Sequence, residues 1–171
     1  MKISKNFLNT QDLTNIQNTL SSSYFPWYYN EGVVRKNDGQ AHLVHTFFDK
    51  DRNYINSDYY NLLQPIIQKI NPFVLLRVKA NLSLKTDNPI EQGFHTDFPK
   101  GKNITTALFY LNTNNGYTLF ENGKKVQSIE NTFVEFKGEI GHTGVTSTDI
   151  LNRLVLNFNY IKWCYASKIK F

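Results

Sequence analysis

The sequence predicts an α+β chain, mainly β, built around a double-stranded β-helix (jelly roll), and three observations carry that reading. Aromatic residues make up 15% of the chain, with ten Tyr and thirteen Phe, a composition suited to pleated, half-buried surfaces. Short strand-like runs separated by turn signals crowd the sequence after residue 72, as in a sandwich or jelly roll. Two helix-like segments precede them and are expected to pack on one sheet. A length of 171 residues fits a single domain, with 1–71 as N-terminal strand and helix support and 72–163 as the jelly-roll core.

In chain order, "NTQDLTNIQNTLSSS" places Leu13, Ile16 and Leu20 at helical spacing, with Asn9 or Thr10 as N-cap. "YFPWYYNEGVV" reads as a strand or extended arm. "SDYYNLLQPIIQKINP" is a second helix, capped by Ser57, kinked or divided by Pro65 and ended near Pro72. "VLLRVKANLSLK" alternates: Leu76, Val78, Ala80, Leu82 and Leu84 share one face, and Arg77, Lys79, Asn81 and Ser83 the other. That polar stripe is either an exposed sheet face or the lining of a barrel interior. "NITTALFYLN", the "NTNNG" turn, "YTLFE", the "NG" hairpin signal, "KKVQSI", "NTFVEF" and "RLVLNFNYI" supply the remaining strands.

Composition limits the function classes. The net charge of +5 suits an anionic partner but is too modest and too evenly spread to argue nucleic-acid binding. "MKISKNFLNT" has no long apolar run after its lysines, so neither a signal peptide nor a membrane span is expected, and the chain reads as soluble and cytoplasmic. Cys164 is the only cysteine, which excludes an internal disulfide or a Cys-based zinc cluster and leaves an ordinary thiol.

The chemistry concentrates at "FHTDFP". His95 and Asp97 stand at i and i+2, so on an extended backbone they point the same way. Such a pair needs a third ligand from far downstream, and "EIGHTGVTSTD" offers His142 between Gly141 and Gly144. Two neutral imidazoles and one carboxylate make the facial triad of non-haem Fe(II) oxygenases, which leaves adjacent coordination positions open. Eleven residues past His142, Arg153 opens a strand on which Arg153, Val155, Asn157 and Asn159 share one face, while Leu154, Leu156, Phe158 and Tyr160 share a core face. A guanidinium on the first face needs a partner if buried, and a carboxylate fits its fork.

"HTD" at 95–97, "ALFYLN" at 107–112, "NGYTLFE" at 115–121, "HTG" at 142–144 and the arginine strand, taken in this order, closely resemble the Fe(II)- and 2-oxoglutarate-dependent oxygenases in their prolyl-4-hydroxylase-like branch. The resemblance covers about residues 72–162 and weakens in the N-terminal third. The short length, the "RVKANL" strand and the "LNTNNGYT" hairpin also look like the small stand-alone oxygenases carried by bacteriophages, which would place the protein in the host cytoplasm.

The resemblance implies that His95, Asp97 and His142 bind Fe(II), and that Arg153 grips the distal carboxylate of 2-oxoglutarate with help from the Tyr110 hydroxyl. Thr106 would line the cosubstrate pocket. Asn81 and Arg77 would meet 2-oxoglutarate or substrate, and Asn157 and Asn159 are further substrate candidates. These two asparagines stand where animal prolyl hydroxylases commonly have threonine and tryptophan, which argues against a peptidyl proline substrate. The implied reaction consumes O2 and 2-oxoglutarate, releases succinate and CO2 and hydroxylates a peptidyl residue, a free amino acid or another small molecule. An intact Asp97 argues against the halogenating branch.

His42 and His45, three apart, read as packing residues rather than a second metal pair. Rival readings are a non-enzymatic jelly roll that binds sugars or serves structure, a His/His/Asp zinc hydrolase, and an oxygenase acting on nucleic acid. The first leaves Arg153 unexplained. The second lacks a base beside the ligands, Glu91 and Glu139 being the nearest carboxylates, and the third lacks a second arginine on the last strand. Substrate choice is expected to lie in "YFPWYYNEGVVRKNDG" and "LKTDNPIEQG". Nothing in the residues specifies an oligomeric state.

Overall fold

The computed structural model describes residues 1–34, 40–52, 54–55 and 57–163. Cys164 and residues 35–39 of the expected substrate arm lie outside them. The first helix, α1 (Thr10–Leu20), is capped by Asn9, whose Oδ1 accepts the Asp12 amide at 2.9 Å. Leu13, Ile16 and Leu20 are its buried residues, as their spacing requires. Pro65 divides the second helical segment: a 3-10 turn over Tyr60–Leu63 leads into α2 (Gln64–Ile70), with Pro65 in the opening turn, where a missing N–H costs no helical bond. Ser57 Oγ accepts the Tyr59 amide at the entrance, and Asn71, left-handed at φ 42°, ends α2.

Among the described residues, eleven strands form, with additions to the predicted pattern at the N-terminus and at His142–Val145. They are β1 (Lys2–Ser4), β2 (Tyr28–Asn30), β3 (His42–Asp49), β4 (Tyr54–Ile55), β5 (Val74–Leu84), β6 (Thr105–Tyr110), β7 (Tyr117–Phe120), β8 (Lys125–Gln127), β9 (Thr132–Lys137), β10 (His142–Val145) and β11 (Asn152–Ile161). An antiparallel sheet of eight strands runs β1-β9-β6-β11-β5-β3-β2, with β4 on β3, and a second sheet runs β10-β7-β8. Strands from residues 1–71 therefore extend the large sheet at both edges. The short β1, which sequence reading did not anticipate, pairs with β9.

Two details correct the sequence reading. Residues 112–116 are not a hairpin turn: β6 pairs with β11 and β9, whereas β7 pairs with β10 and β8, so "LNTNNGYT" carries the chain from one sheet to the other. Asn114 makes the crossing possible, its amide donating to Ser128 O at 2.9 Å and its Oδ1 accepting from Gly116 at 3.0 Å. The alternation of β5 also slips. Asn159 pairs with Arg77 but Tyr160 with Leu75, and this bulge makes Leu75, not Leu76, the residue packed on the core. Leu84, at the strand end, is exposed.

The large sheet has two different faces. Val78, Ala80, Phe109, Leu156 and Phe158 pack with Ile16, Leu20 and Ile66 of the helices. Across the sheet, Leu108, Tyr110, Val134, Phe136 and Val155 meet Phe120 and Val126 of the small sheet. This second core fills only part of the space between the sheets, and the rest is a cavity of about 290 Å³. Because Phe158 is fully buried under the helices, Phe158→Ala should destabilise the fold by about 3–5 kcal/mol, measured by urea unfolding.

Candidate metal centre

The two histidines are placed by main chain. His95 and His142 form an isolated antiparallel bridge, in which each amide donates to the other's carbonyl at 3.0 Å. Paired residues of adjacent strands project side by side, and the imidazole centroids lie 4.7 Å apart. His142 opens β10, and Gly141 before it has no room for a Cβ, which would fall 1.9 Å from Glu121 Oε1. Each Nδ1 faces a local carbonyl, Gly93 O at 3.3 Å for His95 and Ile140 O at 3.1 Å for His142. A proton on each Nδ1 would leave both Nε2 atoms as ligands.

Asp97 completes the set. One ligand atom from each of His95, Asp97 and His142 lies within 4.8 Å of the others, the one such cluster that these side chains form among the described residues. Asp97 Oδ2 accepts from Thr106 Oγ1 at 2.8 Å, Asn159 Nδ2 at 3.0 Å and Asn157 Nδ2 at 3.3 Å, while Oδ1 has Arg77 Nη2 at 3.4 Å and His95 Nε2 at 4.0 Å. Burial alone would raise the carboxyl's pKa. The charges of His142 and Arg77 and the hydrogen bonds from Thr106 and Asn159 outweigh it and hold the group below the usual carboxylate range. Burial lowers the His142 pKa, against the pull of Asp97. Both candidate ligands therefore stand in their metal-binding forms near neutral pH.

The cavity extends from these ligands along the polar faces of β5 and β11, where Arg77, Lys79, Asn81 and Ser83 line it as the alternation predicts. On β11 the lining runs Arg153, Val155, Asn157, so an apolar step separates the arginine from the residue that touches Asp97. Leu108, paired with Asn157, adds a second apolar wall.

Arg153 is 6% exposed, yet among the described residues no carboxylate pairs with it. Its Nε donates to Ser128 Oγ at 2.7 Å and its Nη2 to Thr118 Oγ1 at 3.1 Å, and the Tyr110 ring lies 5.5 Å away. Burial lowers its pKa, with Tyr110 opposing. Space for it comes from glycine: a Cβ on Gly116 would fall 2.8 Å from Arg153 Cδ. A buried guanidinium held by two hydroxyls lacks only its counter-charge.

Several predicted site residues take other positions. Thr106 does not line the cavity, because Asp97 and Asn159 absorb its hydroxyl. Asn159 is fully buried and bridges Asp97 to Arg77 Nε, so it is not a cavity contact. Tyr110 lies behind the cavity wall, its hydroxyl donating to Thr118 at 2.8 Å. Arg77 and Asn157 do line the cavity, though both are engaged with Asp97. His42 and His45, an odd number of residues apart, take opposite faces of β3. His42 lines the cavity, whereas His45 sits between Pro26 O and Ser57 Oγ. Sequence reading missed Thr118 and Ser128, and placed Lys79 on the polar stripe without giving it a role. The signal for Thr118 was a hydroxyl two residues from Phe120, on the inward face of β7.

No protein-family model matches the chain, and no curated protein matches it in sequence. Solved structures do match it in fold. The epimerase SnoN in complex with Fe3+, alpha-ketoglutarate and nogalamycin RO has a TM-score of 0.65 at 12% identity over 94% of this chain and 78% of its own. A Pseudomonas putida prolyl-4-hydroxylase has a TM-score of 0.57 at 14% identity, covering 95% and 92%. An oxidoreductase of the 2OG-Fe(II) oxygenase family from Burkholderia pseudomallei has 0.64 at 15%, covering 92% and 82%. The chain thus has the jelly-roll fold of the 2-oxoglutarate/Fe(II) oxygenases.

Because Thr106 donates directly to the candidate ligand Asp97, Thr106→Val should weaken divalent-metal binding roughly 10- to 100-fold, read by Mn(II) titration calorimetry.

Proposed function

We propose that this protein is an Fe(II)- and 2-oxoglutarate-dependent dioxygenase that hydroxylates a small-molecule or peptide substrate. The observation that carries the reading is Arg153, a buried cation in want of a carboxylate, on the wall that leads to the His95, Asp97 and His142 cluster. A ligand with a carboxylate at one end, a short apolar chain and a chelating group at the other matches that order of surfaces, and 2-oxoglutarate is such a ligand. Two imidazoles and one carboxylate, the donors that His95, His142 and Asp97 would supply, are the donor set of a non-haem Fe(II) site. The fold shared with oxygenases supports the same reading.

When bound, iron supplies the activation of O2 that couples decarboxylation of 2-oxoglutarate, to succinate and CO2, with insertion of the second oxygen atom into a substrate C–H bond. The chain's own residues position and shield. His95, Asp97 and His142 would hold the metal, and Thr106, Asn157 and Asn159 keep the Asp97 carboxylate turned toward it. Arg153 would pair with the distal carboxylate, steadied by Ser128 and Thr118. Leu108 and Val155 would flank the methylene chain and exclude water.

The rival readings lose ground on the same geometry. Asp97 is the sole carboxylate among the described lining residues, so a hydrolytic zinc site would have no second carboxylate to act as base. A sugar-binding jelly roll leaves the buried Arg153 without purpose. No helix among the described residues is long and apolar enough to cross a membrane. The reading treats the chain as one catalytic domain acting in the cytoplasm, including a host cytoplasm if phage-borne.

Anaerobic addition of Fe(II) and 2-oxoglutarate should produce the weak visible charge-transfer absorption of an iron-bound keto acid. His142→Ala should abolish it. Arg153→Met should weaken 2-oxoglutarate binding by about 100-fold, the effect of ~3 kcal/mol from removing one partner of a buried ion pair. Absence of the band in the wild type, with tight Zn(II) binding in its place, would sink the proposal.

A further inference from the structure

Lys79 is a cavity charge for which the cosubstrate chemistry has no use. It lies on the cavity face of β5, opposite Asn157 of β11 on one side and Thr46 of β3 on the other. Asn157 contacts Asp97, so Lys79 stands level with the metal ligands, whereas Arg153 is four residues further along β11. The side chain is half-buried, and among the described residues no hydrogen bond or ion pair engages its ammonium. Arg77, two residues away on the same face, is partnered by Asn159 at 3.0 Å and Asp97 at 3.4 Å. Lys79 is thus the cation left over.

Charge and size point the same way. The described lining carries Arg77, Lys79 and Arg153 against Asp97 alone. A divalent metal and a dianionic cosubstrate add no net charge, so a loaded cavity would remain cationic. Such a site attracts anions, and the Lys79 ammonium, partly desolvated and beside the Arg77 guanidinium, has only Asp97, which Arg77 already engages, to offset it. At about 290 Å³, the cavity is at the small end for ligand sites and must hold cosubstrate as well as substrate.

We propose that Lys79 anchors a carboxylate of the substrate beside the metal, and that the substrate is a small organic acid such as a free amino acid. The inference rests on the oxygenase reading above and goes past it in choosing a free acid over a peptidyl residue. Anchored at Lys79, the acid's carbon skeleton lies next to the metal ligands, which puts a C–H bond near the carboxylate within range of oxidation.

The test uses full-length protein loaded with Mn(II), which does not turn over, and saturated with 2-oxoglutarate. Free L-amino acids and simple dicarboxylic acids, each paired with its primary amide, are titrated calorimetrically into wild type, Lys79→Met and Lys79→Arg. At least one acid should bind wild type. Its amide, and Lys79→Met with the acid, should each show affinity reduced roughly 10- to 100-fold, the worth of one charged hydrogen bond. Lys79→Arg should retain most of the binding, and 2-oxoglutarate should bind Lys79→Met as it binds wild type, which also shows that the variant is folded. If no acid binds although 2-oxoglutarate does, or if acid binding ignores Lys79→Met, the inference falls and the oxygenase reading stands. Loss of 2-oxoglutarate affinity in Lys79→Met would assign the lysine to the cosubstrate and overturn the inference equally. Failure of wild type to bind 2-oxoglutarate would remove both.

Discussion

One carboxylate ties the two sheets together at the site. Asp97 follows the segment that bridges to the small sheet, yet its oxygens are held by Thr106 of β6, Arg77 of β5 and Asn157 and Asn159 of β11, all in the large sheet. A buried carboxylate needs such donors to stay ionised. Their presence on three adjacent strands fixes the register in which the floor of the cavity must assemble, because a slip of one residue would turn every donor to the helix-covered face. The same constraint explains why this part of the sheet is polar between two apolar cores.

Arg153 presents the complementary case. The Asp97 cluster is satisfied within the protein, whereas Arg153 has hydroxyl partners but no counter-charge among the described residues. Asn159 takes a structural role and Arg153 an unfinished one, although both lie on the same face of β11. Which residue lacks an internal counter-charge is decided by what stands across the cavity, and strand periodicity cannot report that. The close approach of Gly116 to the arginine stem shows that the backbone was shaped around this side chain.

Much of this was legible in the sequence because β-strand alternation is local. The faces of β5 and β11, the buried face of α1 and the pairing of His95 with Asp97 follow from spacing, and His142 joined them through the expected jelly roll. What escaped was long-range or irregular. The bulge that exchanges Leu76 for Leu75 depends on the partner strand, and the crossing at residues 112–116 looked like a hairpin because Asn and Gly also serve sheet-to-sheet corners. Thr106 and Asn159 were placed on the correct face, but their hydroxyl and amide are spent on Asp97, a partner dozens of residues away for Asn159. Ser128 could not be connected to Arg153 at all without the small sheet in place.

The position of β11 has a consequence for how the protein comes into being. Late in the chain, it lies between β5 and β6 in the middle of the large sheet and supplies Arg153, Asn157 and Asn159. As the polypeptide leaves the ribosome, β5 and β6 therefore emerge without the strand they share, and their inner edges stay open until β11 arrives. Closure requires a pairing over a long sequence separation, which is slow. The three candidate ligands, with Thr106 and Arg77, are synthesised earlier, but two of the Asp97 donors, Asn157 and Asn159, arrive with this closing strand. Completion of the bonds to Asp97 is thereby coupled to completion of the sheet, and a nascent chain stopped short of β11 would carry His95, Asp97 and His142 without them.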